Sequence, residues 1–246
     1  MFNITCLSRI RNESLLLPDF LNHIDKFVDE AFYFDDASVD NSVEILRKHP
    51  KTKKVLRNYF HNQNQSFVQT AQRHLLLNYA KANSKNTWFF LLEPDERIVE
   101  FDFSLSNNNK YHGIFLSLLD GYLTEKMQVP YKQGDKLENL KRMWGIEKRQ
   151  FCYFFNKNYA TYDLAMPGIA QPTINGKTFI SDGWAKHYSK CLSVEHWNET
   201  VEYYVQSMPI LAKKWEARRG KAIHTLSDFN TPLYKWEEAK KNSTLI

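Results

Sequence analysis

Glu93-Pro94-Asp95-Glu96 places three carboxylates within four residues, directly after the apolar run Trp88-Phe89-Phe90-Leu91-Leu92. Carboxylates that close repel one another unless a cation stands between them, and Pro94 turns the chain abruptly enough to keep Glu93 and Asp95 together. The chemistry open to such a turn is ligation of a hard divalent cation by carboxylate oxygens. Solvated surface acid is the plainer alternative. A second acidic stretch, Asp35-Asp36-Ala37-Ser38-Val39-Asp40, follows the apolar segment Glu30 to Phe34 in the same way. Asn41 with Glu44 three residues on makes a helix-capping pattern, and Asp40 favours a helix N-terminus. Capping does not account for Asp35-Asp36.

The elements that must position these acids are legible in the periodicity. Five consecutive apolar residues fit a strand buried on both faces, so Thr87 to Leu92 is read as the central strand. Phe2 to Leu7, Glu30 to Phe34 and Val55 to Phe60 are the other early strands, with Ser8 to Glu13 leaving the first as a loop and Lys51 to Lys54 a solvated turn. Between them fall helical patterns: Leu17, Leu21, Ile24 and Val28, with Pro18 in the first turns; Val43, Ile45 and Leu46; and Val68, Ala71, Leu75, Leu76 and Tyr79 within Ser66 to Ala82. Strand and helix in alternation build a mostly parallel sheet with right-handed crossovers. Ligands bind such sheets at the carboxyl ends of the strands, where both acidic stretches stand.

Composition narrows the class. A chain of 246 residues, 43% hydrophobic, buries a sizeable core. It has no run of eighteen apolar residues and no signal-like start, so a soluble, cytoplasmic protein is expected. Three scattered cysteines, Cys6, Cys152 and Cys191, make neither a disulfide framework nor a zinc pattern. The net charge of +5 is modest, and the basic residues gather late, as in Arg218-Arg219-Gly220-Lys221; a solvated helix face explains them better than nucleic acid does.

Arg11-Asn12-Glu13, the Asp35-Asp36-Ala-Ser38-Val-Asp40 stretch, Arg73 and the acidic turn, in that order, resemble the nucleotide-sugar domain of family 2-like glycosyltransferases, over roughly residues 1 to 100. The resemblance implies an α/β GT-A type (Rossmann-like) fold, a mostly parallel sheet flanked by helices with a C-terminal helical segment. The nucleotide-sugar half is then 1–100, the acceptor-side half 101–192, and a C-terminal helix and tail 193–246. It implies nucleotide contacts from Ser8, Arg11, Asn12, Glu13, Asp35, Asp36 and Arg73, and a Mn or Mg ion held by Asp95, Glu93 and the late His187. Glu93 departs from the aspartate usual there but can still ligate a hard cation. The activity implied is hexosyl transfer from a nucleoside-diphosphate sugar, UDP favoured, to a glycan or lipid-linked acceptor, inverting, in polysaccharide biosynthesis. Peripheral membrane contact at the inner face and a homodimer are further expectations.

The second half is less legible. Tyr111 to Leu118 and Phe151 to Phe155 read as strands, Asp120-Gly121 as a turn, and Lys132 to Asp135 as an exposed loop. Trp144 is read as core, with sugar stacking as the alternative. An acceptor hydroxyl must lose a proton as it attacks, which calls for a carboxylate base. Asp163, Asp182 and Glu147 are candidates, with Asp120, and no spacing selects one. Lys186 or Lys190 is a candidate phosphate contact. Val194 to Arg218 reads as one long helix kinked at Pro209, and the tail after Asp228 as polar and frayed. The rival readings are a sugar nucleotidyltransferase, which would want a Gly-rich loop that Ser8 to Glu13 lacks, and a silent nucleotide-binding module.

Overall fold

The computed structural model describes residues 3–107, 110–166 and 168–246; Phe2, expected to open the first strand, lies outside the described residues. Strands β1 (Ile4–Ile10), β2 (Glu30–Asp36), β3 (Thr52–Asn58) and β4 (Trp88–Leu91) alternate with helices α1 (Leu17–Ile24), α2 (Ser42–Lys48) and α3 (Gln65–Asn83). The four strands are parallel, in the order β3-β2-β1-β4. Successive side chains of a strand point to opposite faces, and both faces of β4 are covered. Phe90 packs with Ile4, Phe20 and Ile24 on one side, and Phe89 with Leu7, Leu76 and Leu77 on the other.

The later strands are β5 (Glu96–Val99), β6 (Gly113–Tyr122), β7 (Met143–Trp144), β8 (Glu147–Asn156), β9 (Ala160–Thr161), β10 (Thr173–Ile174), β11 (Thr178–His187) and β12 (Thr244–Leu245), and the later helices α4 (Val194–Ser207), α5 (Pro209–Glu216) and α6 (Trp236–Lys241). They extend the sheet as β4-β8-β6-β11-β5. Strand β8 is antiparallel to both β4 and β6, β11 is parallel to β6, and β5 is antiparallel to β11. The result is an α/β fold with a mostly parallel sheet flanked by helices and a C-terminal helical segment, as expected. No described helix is long and apolar enough to cross a membrane.

Several local expectations are corrected. Strand β1 continues through Ser8, Arg9 and Ile10, because Ser8 and Ile10 are buried by their neighbours in the sheet. Thr52 to Lys54 belong to edge strand β3 rather than to a turn, their lysines facing solvent. Asp120 and Gly121 lie within β6, paired onward to β7. Asn41 precedes α2 without a side-chain cap; Asp40 accepts from Ser42 N at 3.0 Å instead. The long late helix is broken, not kinked: Met208, forced out of the helical region before Pro209, has φ −127° and ψ 75°. Helix α5 restarts at the proline and folds back, so that Tyr204 stacks on Trp215 at 4.2 Å. Trp144, 3% exposed, is core as expected, edge-on to Tyr188 and Trp236. The tail is docked rather than frayed: Trp236 anchors α6, Lys186 Nζ lies 4.5 Å from its ring, and β12 pairs with β8.

Candidate functional site

The acidic turn emerges from β4 at the middle of the sheet and is held from behind. Arg97, wholly buried, donates to the carbonyls of Pro94 (2.9 Å) and Glu96 (2.6 Å), while its other nitrogens reach Asp19 of α1 at 3.0 and 2.5 Å. Glu93 is drawn aside by Arg73, whose Nη2 stands 2.7 Å from its Oε1. Asp95 faces the other way, toward His187.

His187 ends β11 in register with Asp120 on β6 and Glu96 on β5. Its Nδ1 is 2.6 Å from Asp120 Oδ1 and its Nε2 3.2 Å from Asp95 Oδ2. Burial works against the imidazolium, but the two carboxylates overcome it and raise the pKa to about 10. For Asp95 burial is likewise opposed, and outweighed, by His187, leaving its pKa below the usual range. Glu96, beside them and cut off from water, is pushed up to about 7, burial being the chief cause. Asp120 also takes an ion pair from Arg149 and one from Lys190 at 2.7 Å; Lys190 reaches Asp228 at 2.6 Å, and Arg218 reaches Asp228 at 2.8 Å. A single chain of charge thus runs from Asp95 to Arg218.

The loop after β1 and the end of β2 form the neighbouring wall. Asn12 and Ala37 have φ of 53° and 56°, a left-handed geometry that costs a residue with a Cβ roughly 1–2 kcal/mol. Asn12 offsets the cost locally, its Oδ1 accepting from Val39 N and its N–H donating to Ser38 Oγ, both at 2.9 Å. Glu13 N–H donates to Ser42 Oγ, and the carboxyl stands near enough to Asp95, Glu93 and Asp40 that burial first, and these acids next, lift its pKa well above the usual range. Arg11 clasps the carbonyl of Asp36 at 2.6 Å. Asp35 and Asp36 are fully buried. Asp35 is paired to Arg57 at 3.0 Å, and Asp36 is bound by Arg9 at 2.8 Å, Gln72 at 2.6 Å, His61 at 3.1 Å and Asn58 at 3.3 Å. Ser8, also buried, has an Oγ without a hydrogen-bond partner.

The expected site residues therefore divide. Asn12, Glu13, Arg73, Glu93, Asp95 and His187 stand at one end of the sheet, with Asp35 and Asp36 in the framework beneath. Asp163 is exposed after β9, its Oδ1 turned to Ala165 N. Asp182 is exposed in the bulge of β11 between Ile180 and Trp184, away from the strand's end. Glu147 and Asp120 line one cavity of about 250 Å³. Lys190 lines it as well and is engaged by two carboxylates. Sequence reasoning missed Arg9, Arg97, Arg149, Arg218 and Asp228; the one available signal was Arg9, which continues the strand pattern past Leu7. Among the described residues no three His, Cys, Asp or Glu side chains are grouped to hold a metal by themselves.

No family profile and no curated protein matches the chain. Among solved structures it is similar to S. aureus TarS 1-349, at 11% identity and TM-score 0.45, covering 83% of this chain and 66% of that one. The same TarS fragment in complex with UDP matches at 11% and 0.45, over 87% and 71%. HddC from Yersinia pseudotuberculosis matches at 11% and 0.43, over 83% and 100%. This chain thus spans slightly less than two thirds of the first of these structures. Likenesses at this level assign no activity.

Proposed function

We propose that the chain is a glycosyltransferase that moves a sugar from a nucleoside-diphosphate donor, UDP favoured, to a hydroxyl of a glycan or lipid-linked acceptor with inversion. The observation that carries this reading is the convergence of Asp95, in the turn after β4, with Asp120 and His187 near the carboxyl ends of the parallel neighbours β6 and β11, beside the Asn12-Glu13 loop. The position is the one at which open α/β sheets bind ligands.

Asp95 and His187 would hold a divalent cation of the Mn or Mg type, the imidazole giving up its extra proton to do so. His187 Nε2 is aimed at Asp95, while Asp120 holds Nδ1 and so fixes which nitrogen faces Asp95. Glu93, engaged by Arg73, is left out of that ligand pair. Such an ion would supply positive charge against the leaving diphosphate. The Asn12-Glu13 loop and the Asp36 framework shape the nucleoside side, and Arg73 lies beside the diphosphate. As the acceptor oxygen bonds to the anomeric carbon, the bond from that carbon to the diphosphate oxygen breaks, and a carboxylate takes the hydroxyl proton. Asp120, held below the usual carboxylate range by Lys190, Arg149 and His187 against the opposing effect of burial, is a poor proton acceptor. Glu147, whose Oε1 takes hydroxyls from Ser227 (2.9 Å) and Thr231, has Oε2 for the task.

Calorimetric titration with UDP and GDP, each with and without Mn, on the wild type and Asp95→Ala tests the reading. Metal-dependent binding of one nucleotide, lost in the variant, is expected, with donor hydrolysis to match. Binding that ignores Mn and Asp95, without donor hydrolysis, would leave a silent module; binding of neither nucleotide would remove the reading for these donors.

A further inference from the structure

The cavity beside Asp120 is built in a way that the transfer chemistry alone does not require. Its volume of about 250 Å³ falls below the roughly 300–1,000 Å³ of pockets for drug-sized ligands, which suits one ring and not a chain. Its lining holds three cations, Arg149, Lys190 and Lys214, against three carboxylates, Asp120, Glu147 and Asp228. Most of this charge is spent within the wall, in the ion pairs from Arg149 and Lys190 to Asp120 and from Lys190 to Asp228. With the two signs equal in number and mostly paired, the wall has little net charge to offer a charged ligand of either sign. Hydroxyls, which donate and accept, could meet both, and hydrogen bonds to ionised partners are the strong ones.

Two further features shape the space. Phe229, 54% exposed, presents an apolar ring at the lining, the surface on which the C–H face of a sugar rests. Gly145 lets the chain pack directly against the carboxylate: a Cβ there would stand 2.8 Å from Glu147 Oε2 and 3.2 Å from Tyr122 Cε2, too close to fit without a shift. With Oε1 of Glu147 committed to Ser227 and Thr231, the glycine is what allows Oε2 to hold its place in the wall.

We infer that this cavity binds one neutral sugar ring, its hydroxyls on the Asp120, Glu147, Arg149 and Lys190 groups and its apolar face on Phe229. The inference rests on the transferase reading only in making that ring part of the acceptor.

Saturation-transfer NMR with the methyl glycosides of glucose, galactose and N-acetylglucosamine tests it, with glucose 6-phosphate and glucuronic acid as charged counterparts. Binding of at least one neutral glycoside in the ~1 mM range is expected, with the charged counterparts at least about threefold weaker. Phe229→Ala should weaken it ~fivefold at unchanged melting temperature, and Gly145→Ala should weaken it by displacing the Glu147 carboxylate. Tighter binding of a charged counterpart, no binding of any neutral glycoside, or binding indifferent to both substitutions would overturn the assignment. UDP titration of the same proteins separates the two readings. Nucleotide binding without sugar binding sinks this inference alone, whereas sugar binding without any nucleotide or donor turnover sinks the transferase and leaves the cavity assignment standing.

Discussion

Arg97 is the residue whose loss should reach furthest. It sits at 0% exposure, pairs with Asp19 through two nitrogens and holds the carbonyls of Pro94 and Glu96 with a third. Truncation to Ala strands a largely buried carboxylate, which costs about 3–5 kcal/mol for a buried pair broken on one side. The two carbonyls each stand to lose a hydrogen bond to a charged donor, about 1.5–3 kcal/mol apiece. These terms overlap, since the turn can relax toward water, so a loss of roughly 4–6 kcal/mol in urea unfolding is expected for Arg97→Ala. Asp19→Leu with Arg97→Met removes both charges and should recover a sizeable part of that, the signature of coupling rather than of two separate contacts. The acidic turn remains loosened in the double variant, so Mn-dependent nucleotide binding should stay weak after stability returns. A cost below about 1 kcal/mol for Arg97→Ala, or a double variant as costly as the sum of the singles, would refute this account.

Two other outcomes follow from buried polar groups. Glu96 binds its proton more readily when folded, with a pKa of about 7 against an ordinary 4.5, so it makes stability fall as pH rises between those values and adds no slope above them. Glu96→Gln should cancel a fall of roughly 3 kcal/mol across that window, read as the difference between two urea series; a difference curve that is flat or of opposite sign refutes it. Gln72, 2% exposed, joins Arg9 and Asp36 by hydrogen bonds of 2.6 Å each. Gln72→Leu should cost about 2–3 kcal/mol in the same measurement, and a cost near zero would mean that water or a neighbour replaces both bonds.

The first half of the chain was legible because its physics is local. Runs such as Trp88 to Leu92 and the helical spacing of Leu17, Leu21 and Ile24 declare their elements, and the sheet order then places both acidic stretches at strand ends. What stayed hidden depends on distant partners. Arg97 follows three carboxylates and reads as surface charge; only Asp19, 78 residues earlier, makes its burial tolerable. Asp228, which stands just before the tail read as frayed, acquires its place from Lys190, 38 residues before it. Asp163 and Asp182 were candidates that no spacing could rank, and both stand exposed. Asp120 gave no sign that it would face three cationic partners, because Arg149, His187 and Lys190 meet it only through the pairing of β6 with β8 and β11.

The placement of β8 bears on how the chain is made. The edge of β4 is covered by Phe154 to Asn156, residues synthesised well after Trp88 to Leu91. During translation at about 5–20 residues per second, the first four strands emerge and can pair while the fully apolar edge of β4 waits on the order of several seconds for its partner. An unpaired apolar edge is a template for joining another chain. The nascent first hundred residues are therefore an aggregation hazard until β8 arrives, and a fragment ending before β8 would carry the hazard permanently.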